Sequence, residues 1–192
     1  MALPGDISES SPRLEDDNLV GRVRSGDKQA LALLFDRHYE GLCRFVHSLI
    51  GSRLDVDDLV QEIFVKIWIN KDHWDPHGSI KSYLFKAAKN QALNYLKSRR
   101  AKKSSGSADE LVEVTSGMDA VSELEDKELL AALSLAITRL PRKTRIVFKL
   151  SREEGMTYSE ISEIMGISVK TVEHQIARAL KILRKQLLEF WE

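Results

Sequence analysis

The 192-residue sequence contains one cysteine, four prolines, ten glycines and no apolar run long enough to cross a membrane. One cysteine excludes an internal disulfide and any zinc site built from several cysteines. The scarcity of proline and glycine disfavours a turn-rich all-β fold, so we expect an all-α protein. The first residues, MALPGDISESSPRLEDD, lack the basic and apolar parts of a signal peptide, and we expect a cytoplasmic chain.

The formal net charge is zero, but the charges are distributed unevenly along the chain. Residues 1–103 and 128–192 each carry +3, whereas residues 104–127 carry −6. Two basic blocks on either side of an acidic segment are typical of two modules joined by a linker. We therefore expect a disordered lead-in over residues 1–17, small helical domains over 18–103 and 128–192, and a flexible acidic linker over 104–127.

The segment DVDDLVQEIFVKIW, residues 55–68, predicts an amphipathic helix because its apolar residues recur at steps of three and four. Asp55 is placed to cap this helix, and Asp58, Gln61 and Glu62 lie on its polar face. Solvated surface is the ordinary interpretation of such a face. A metal site is a second interpretation, but a calcium loop needs alternating oxygen ligands and a glycine turn, which are absent here.

Two further helices are predicted in the first domain. One runs over residues 28–50 and ends at Gly51, and the other is capped by Ser79. The second carries eight basic and no acidic residues between positions 81 and 103, which is typical of a nucleic-acid surface, although a solvated face remains the alternative. Trp74, in the loop before it, offers an aromatic platform on which an unpaired base can stack.

The second domain has the local signals of a helix-turn-helix. Pro141 opens one helix in a position where proline is tolerated, and Thr157 and Glu160 form a capping box at the start of the next. Gly166 then makes a turn, and Ser168 caps the last helix. We therefore predict a DNA-binding unit in this domain.

The apolar spacing of the last helix indicates which of its sides faces inward. Its core side contains Val172, Ile176, Ala179 and Leu183. In a helix-turn-helix, the N-terminal half of this element enters the major groove, so the outward residues there are candidates for DNA contact. These outward residues are Lys170, Thr171, Glu173, His174, Gln175 and Arg178.

The chain resembles a bacterial RNA polymerase sigma factor of the extracytoplasmic-function (ECF) group. Three segments carry the resemblance: DVDDLVQEIFVKIW, SIKSYLFKAAKNQALNYLKSRR and LPRKTRIVFKLSREEGMTYSEISEIMGISVKTVEHQIARALKILRK. The resemblance as a whole covers about residues 18–100 and 128–188, in the family's order. The resemblance implies a non-enzymatic factor, without cofactor or metal, that binds core polymerase, recognises promoter DNA and helps to melt it.

The resemblance also assigns roles to individual residues. A coiled coil of the polymerase β′ subunit is expected to bind Asp58, Leu59, Gln61, Glu62 and Phe64. The minus-ten promoter element is expected to contact Trp74, Ser79, Lys86, Asn90, Asn94, Arg99 and Arg100. The minus-thirty-five element is expected to contact Ser168, Lys170, Thr171, Glu173, His174, Gln175 and Arg178.

Further partners follow from the resemblance. The second domain is expected to touch the polymerase β flap, the acidic linker to thread a basic channel, and an anti-sigma factor, often membrane-bound in this family, to hold the protein inactive. Two other functions stay open. A stand-alone helix-turn-helix regulator leaves the 55–68 face without a role, and a metal-dependent nuclease using Asp55, Asp57 or Asp58 lacks a glycine-rich phosphate loop.

Overall fold

The computed structural model describes residues 12–52, 54–104 and 124–191. Within these ranges the chain forms eight α-helices and a 3₁₀ turn and has no β-strand, which confirms the all-α prediction. None of these helices is long and apolar enough to span a bilayer. The elements are α1 (Pro12–Arg24), α2 (Lys28–Ile50), α3 (Val56–Ile69), the 3₁₀ turn Lys71–His73, α4 (Ile80–Ser104), α5 (Leu124–Thr138), α6 (Arg142–Arg152), α7 (Tyr158–Met165) and α8 (Val169–Trp191).

Helices α1 to α4 form a first module around α2, which packs against the other three. The α2 helix has the bounds that the sequence predicts. Asp27 Oδ1 accepts the backbone N–H groups of Gln29 and Ala30 at 2.8 and 3.2 Å, and Gly51 ends the helix with φ at +75°. The core of this module includes Leu34, Leu42, Val46, Val60, Leu84 and Phe85.

The start of the chain differs from the sequence prediction. Disorder was predicted over residues 1–17, but residues 12–17 are the first part of α1, so the prediction is wrong for them. Leu19 and Val23 of this helix are buried in the core. Two such residues are too few to give a clear helical pattern in the sequence. Residues 1–11 of the lead-in and residues 105–123 of the expected acidic linker lie outside the described residues. Residues 104 and 124–127 of that linker are helical, in α4 and α5, so the prediction of a flexible linker is wrong for them.

The acidic residues before and within α3 have separate partners. Asp55 stands at the N-cap position without capping the helix, because its carboxylate accepts a hydrogen bond from the Tyr95 hydroxyl of α4. Asp57 accepts a hydrogen bond from the Tyr39 hydroxyl of α2 at 2.7 Å. These acids therefore join α3 to its neighbours, and in the part of the chain that the structure describes no group of three His, Cys, Asp or Glu side chains could hold a metal ion.

Helices α5 to α8 form the second module, in which α8 packs against the other three. Val172, Ile176, Ala179 and Leu183 of α8 are buried, as the sequence predicts. The predicted capping box is present at the start of α7, and Gly166, with φ at +67°, turns the chain into α8. The α7–turn–α8 unit is thus the predicted helix-turn-helix.

The two modules lie against each other, with α6 beside α2 and α7 beside α4. Glu154, in the turn between α6 and α7, forms ion pairs with Arg44 at 3.0 Å and with Lys81 at 3.1 Å. At the other end of α6, Arg142 donates hydrogen bonds to the carbonyl oxygens of residues 48 and 49. Those carbonyls belong to the last turn of α2 and lack partners within the helix.

Candidate polymerase and nucleic-acid interfaces

The outer side of α3 combines polar and apolar residues. Asp58, Gln61 and Glu62 are exposed, and Val65 and Ile69 continue the same stripe with 53% and 69% of their surface in contact with solvent. Neighbouring large apolar side chains on a polar face are typical of a protein-docking surface. Sequence reasoning missed Val65 and Ile69. Both could have been recognised, because they are apolar residues that lie outside the inward stripe of the helix.

A side-chain network holds the acidic part of this surface. Glu62 pairs with Lys66 at 2.8 Å, and Lys66 also donates to Gln91 of α4 at 3.1 Å. The hydrogen bond from Lys66 lowers the pKa of Glu62, so its carboxylate stays ionised near neutral pH. The network fixes the direction in which Glu62 presents its charge.

Phe64 corrects one sequence-based expectation. It was expected at the polymerase contact, but only 4% of its surface is exposed, and its ring packs edge-on against Phe35 of α2 with the centroids 5.0 Å apart. Leu59 is half-buried. Phe64 therefore packs in the core on the inner side of α3, whereas Val65 and Ile69 are the exposed apolar residues on its outer side.

The outer side of α4 presents a row of basic and amide groups. Lys86, Asn90 and Asn94 are four residues apart, and Arg100 falls on the same stripe at 100° per residue. All four are exposed. The pKa of the adjacent Lys89 is lowered by burial and by the charge of Lys86. Neighbouring cations on a helix without acidic residues suit a polyanionic ligand.

Two residues predicted to contact the minus-ten element lie outside this exposed row on α4. Arg99 is on another side of α4, with its guanidinium 5.7 Å from the centre of the Tyr95 ring. Trp74 is only 4% exposed and packs edge-on against Tyr83, with the centroids 6.0 Å apart. Trp74 is therefore a core residue here and offers no free face for base stacking, because the loop folds back over the module.

Ser79 has the predicted capping role and an additional contact. Its Oγ accepts the backbone N–H of Ser82 at 3.2 Å and donates to Glu160 of α7 at 3.0 Å. Burial opposes ionisation of Glu160, but hydrogen bonds from Thr157 and from both serines outweigh it and hold the pKa of Glu160 below its usual range. The second module thus covers the start of the basic helix.

The first half of α8 presents its own polar surface. Lys170, His174 and Arg178 are exposed and four residues apart, and Glu173 is exposed beside them. Ser168 caps the helix by accepting the backbone N–H of residue 171 at 3.1 Å. This surface lies at the N-terminal half of the second helix of a helix-turn-helix, which is the part that reads base edges.

Two of the α8 residues predicted to contact DNA are engaged in hydrogen bonds within the module. The Thr171 hydroxyl lies 2.8 Å from that of Ser168, and Gln175 is half-buried and accepts a hydrogen bond from Thr144 of α6 at 2.6 Å. Their positions are therefore fixed by the module itself. Farther along α8, Leu180 and Leu188 are exposed in a shallow groove that also includes Lys181 and Arg184.

A basic helix in one module and a helix-turn-helix in the other are the combination of a two-module DNA-binding protein. The profile of sigma-70 region 2 matches residues 34–102, and that of sigma-70 region 4 matches residues 130–183. The chain is 33% identical over 177 residues to the ECF RNA polymerase sigma-E factor of Escherichia coli K12, over 88% of this chain and 92% of that protein. It is 28% identical over 179 residues to the ECF RNA polymerase sigma factor SigW of Bacillus subtilis, over 88% and 94%.

A solved structure agrees with these relatives. The chain superposes on CnrH, solved in complex with the cytosolic domain of CnrY, with a TM-score of 0.59 and 28% identity over 90% of this chain and 97% of CnrH. The chain belongs to the ECF group of the sigma-70 family. It is a factor that recognises promoters and initiates transcription, and a stand-alone regulator is not favoured.

Proposed function

We propose that the outer side of α3 docks the chain on the coiled coil of the polymerase β′ subunit. The observation that supports this role is the stripe in which Asp58, Gln61 and Glu62 adjoin the exposed Val65 and Ile69. Apolar side chains at the centre of an interface supply affinity, and charged groups beside them fix orientation and partner choice. A coiled coil offers both kinds of partner group, because charged residues flank its apolar seam.

The outer side of α4 is proposed to hold the minus-ten element. Lys86 and Arg100 neutralise backbone phosphates, while Asn90 and Asn94 can donate to and accept from base edges. Extruding a base from the stack costs a few kcal/mol, so contacts to an opened strand are needed to offset that cost. Trp74 would take part only after the loop that buries it rearranges.

The first half of α8 is proposed to read the minus-thirty-five element. Arg178 can pair with guanine in the major groove, Glu173 can accept from cytosine, and Lys170 can bind phosphate. His174 lies among these groups and can donate to either phosphate or base. The exposed leucines near the end of α8 are the proposed contact with the polymerase β flap.

The two modules act together in this proposal. The two domains, predicted over residues 18–103 and 128–192 and connected by the segment between α4 and α5, allow two modest DNA contacts to act at high effective concentration once both are tethered to one polymerase. We include α1, which begins at Pro12, in the first domain. The chain itself performs no catalysis, and we assign it to the cytoplasm, where bacterial polymerase and promoter DNA are found.

A protein inhibitor is the remaining proposed partner. The structurally similar CnrH is solved in complex with the cytosolic domain of CnrY. By analogy, an anti-sigma factor, anchored in the membrane as is common in this family, would bind this chain and hide its polymerase surface.

The experiment is binding of the full chain to core RNA polymerase, with and without Gln61→Ala/Glu62→Ala. The matched control is Gln29→Ala/Asp36→Ala, which removes an exposed amide and an exposed carboxylate from α2 instead. We expect weaker binding for the α3 variant and unchanged binding for the control. Equal affinity of all three proteins would contradict the proposed docking surface.

A further inference from the structure

The closed arrangement of the modules is incompatible with binding both promoter elements. Elements centred at minus ten and minus thirty-five are about 25 base pairs apart, or roughly 85 Å of duplex at 3.4 Å per pair. In the structure, Ser79 at the start of α4 is 3.0 Å from Glu160, and a Cβ atom at Gly166 would be only 3.5 Å from Lys89 Nζ. The helix-turn-helix thus lies directly on the basic helix, and the modules must separate before the promoter is bound.

Glu154 joins the two modules through both its side chain and its backbone carbonyl. Only 11% of its side-chain surface is exposed, and its carboxylate is bound by Arg44 of α2 and Lys81 of α4. Lys81 also donates to the backbone carbonyl oxygen of Glu154. Charge-assisted hydrogen bonds in partly buried surroundings are stronger than exposed ion pairs, so these contacts favour the closed arrangement.

Gly41 explains how the carboxylate can come so close to α2. This buried glycine lies in the middle of a 23-residue helix, where glycine is unfavourable relative to alanine. A Cβ atom at position 41 would stand 2.9 and 3.0 Å from the two carboxylate oxygens of Glu154. Glycine is therefore the residue that leaves room for the carboxylate against the helix.

We propose that Gly41, Arg44 and Lys81 form a carboxylate seat for Glu154 that latches the free chain in a closed state. The closed state keeps the start of α4 under the second module, and separation of the modules releases Lys81 and Ser79. The consequence for promoter binding rests on the proposed function, whereas the latch is a property of the free chain and is measured without polymerase or DNA.

The first test is small-angle X-ray scattering of the full-length Gly41→Ala variant. The added methyl group displaces the flexible end of the Glu154 side chain and leaves the helix intact, because alanine is the better helix former. Gly21→Ala is the matched control, since a Cβ atom there has nothing within 4 Å. We expect the radius of gyration to rise by about a fifth or more in Gly41→Ala alone, as two separated modules replace one compact body.

The second test removes the charge of the latch. Glu154→Gln should open the chain as Gly41→Ala does, and the double variant should open it no further, because both changes act on one contact. Glu153→Gln is the control, since Glu153 pairs with Lys149 of its own module at 3.3 Å. Circular dichroism of every variant is the check that its helices are retained, and we expect unchanged helix content.

Three outcomes separate the latch from the proposed function. If Gly41→Ala and Glu154→Gln both keep the radius of gyration of their controls, the latch is refuted. If both variants expand, the latch stands, and their affinity for core polymerase should match that of the unmodified chain, because the α3 surface is already exposed in the closed state. Expanded variants that do not bind core polymerase would refute the proposed docking surface and leave the latch in place.

Discussion

The exposed apolar pair on α3 gives the sharpest quantitative prediction. We expect Val65→Ala/Ile69→Ala to weaken binding to core RNA polymerase while leaving the fold intact. These side chains are 53% and 69% exposed in the free chain, so the surface they offer to a partner is still in contact with water. A docking partner that covers them completes their burial.

The expected size of the effect follows from that exposure. Burial of one CH₂ group contributes about 0.8 kcal/mol. When this value is scaled by the exposed fraction of the carbons that each substitution removes, the expected loss of binding free energy is about 1.7 kcal/mol for Ile69→Ala and about 0.8 kcal/mol for Val65→Ala. Together these amount to about 2.5 kcal/mol, or roughly a 60-fold increase in Kd. The free energy of unfolding should change by no more than about 0.5 kcal/mol, because exposed residues contribute little to it and alanine favours the helix.

The assay is competition for core polymerase followed by fluorescence anisotropy, with urea unfolding of each variant alongside. Leu33→Ala is the matched control, since Leu33 is 49% exposed on α2, outside the proposed interface. The reasoning is refuted if the double variant binds as tightly as Leu33→Ala. It is also refuted if the loss of affinity is matched by a loss of stability, because the residues would then act through the fold.

Three further predictions concern the second module. Arg178→Ala should weaken binding to minus-thirty-five DNA by about 1 to 3 kcal/mol and leave core polymerase affinity unchanged, as gel-shift and polymerase-binding assays can measure. Ile161→Ala removes a fully buried side chain and should lower the free energy of unfolding by about 2 to 5 kcal/mol in urea titrations. The pKa of Glu160 is lower in the folded chain than its unfolded value of about 4.5. The ionised carboxylate therefore stabilises the fold above pH 4.5, and this stabilisation is lost as the pH falls through the lower folded pKa. Thermal unfolding between pH 6 and 3 should therefore show a smaller loss of stability in Glu160→Gln than in the unmodified chain.

Local features of the fold were predictable because their signals are adjacent in the sequence. The start of α7 requires only Thr157 and Glu160, three residues apart, and the end of α2 requires only Gly51. The inward side of α8 follows from the spacing of its apolar residues. In each case, residues within one or two helical turns determine the structure.

Other features depend on residues that are far apart in the chain. Trp74 is an aromatic residue in a polar loop, and only the approach of Tyr83 and the rest of the first module makes it a core residue. Phe64 is different, because its spacing from Val60 and Ile67 already places it on the inward stripe, and only the resemblance assigned it to the docking face. The pairing of Lys81 with Glu154, 73 positions later, leaves no periodic trace in the sequence, because the contact is set by the packing of whole helices.

The two oxygens of the Glu160 carboxylate have different partners. Oε2 accepts hydrogen bonds from the backbone and hydroxyl of Thr157 at 2.9 and 2.8 Å, whereas Oε1 accepts the Ser79 hydroxyl of the first module. When the modules separate, water can replace Ser79 at Oε1 while Oε2 keeps the start of α7 in place. The α8 helix, which we propose reads the promoter, then moves as part of a rigid module. Because it is already ordered, its binding to DNA would cost little further conformational entropy.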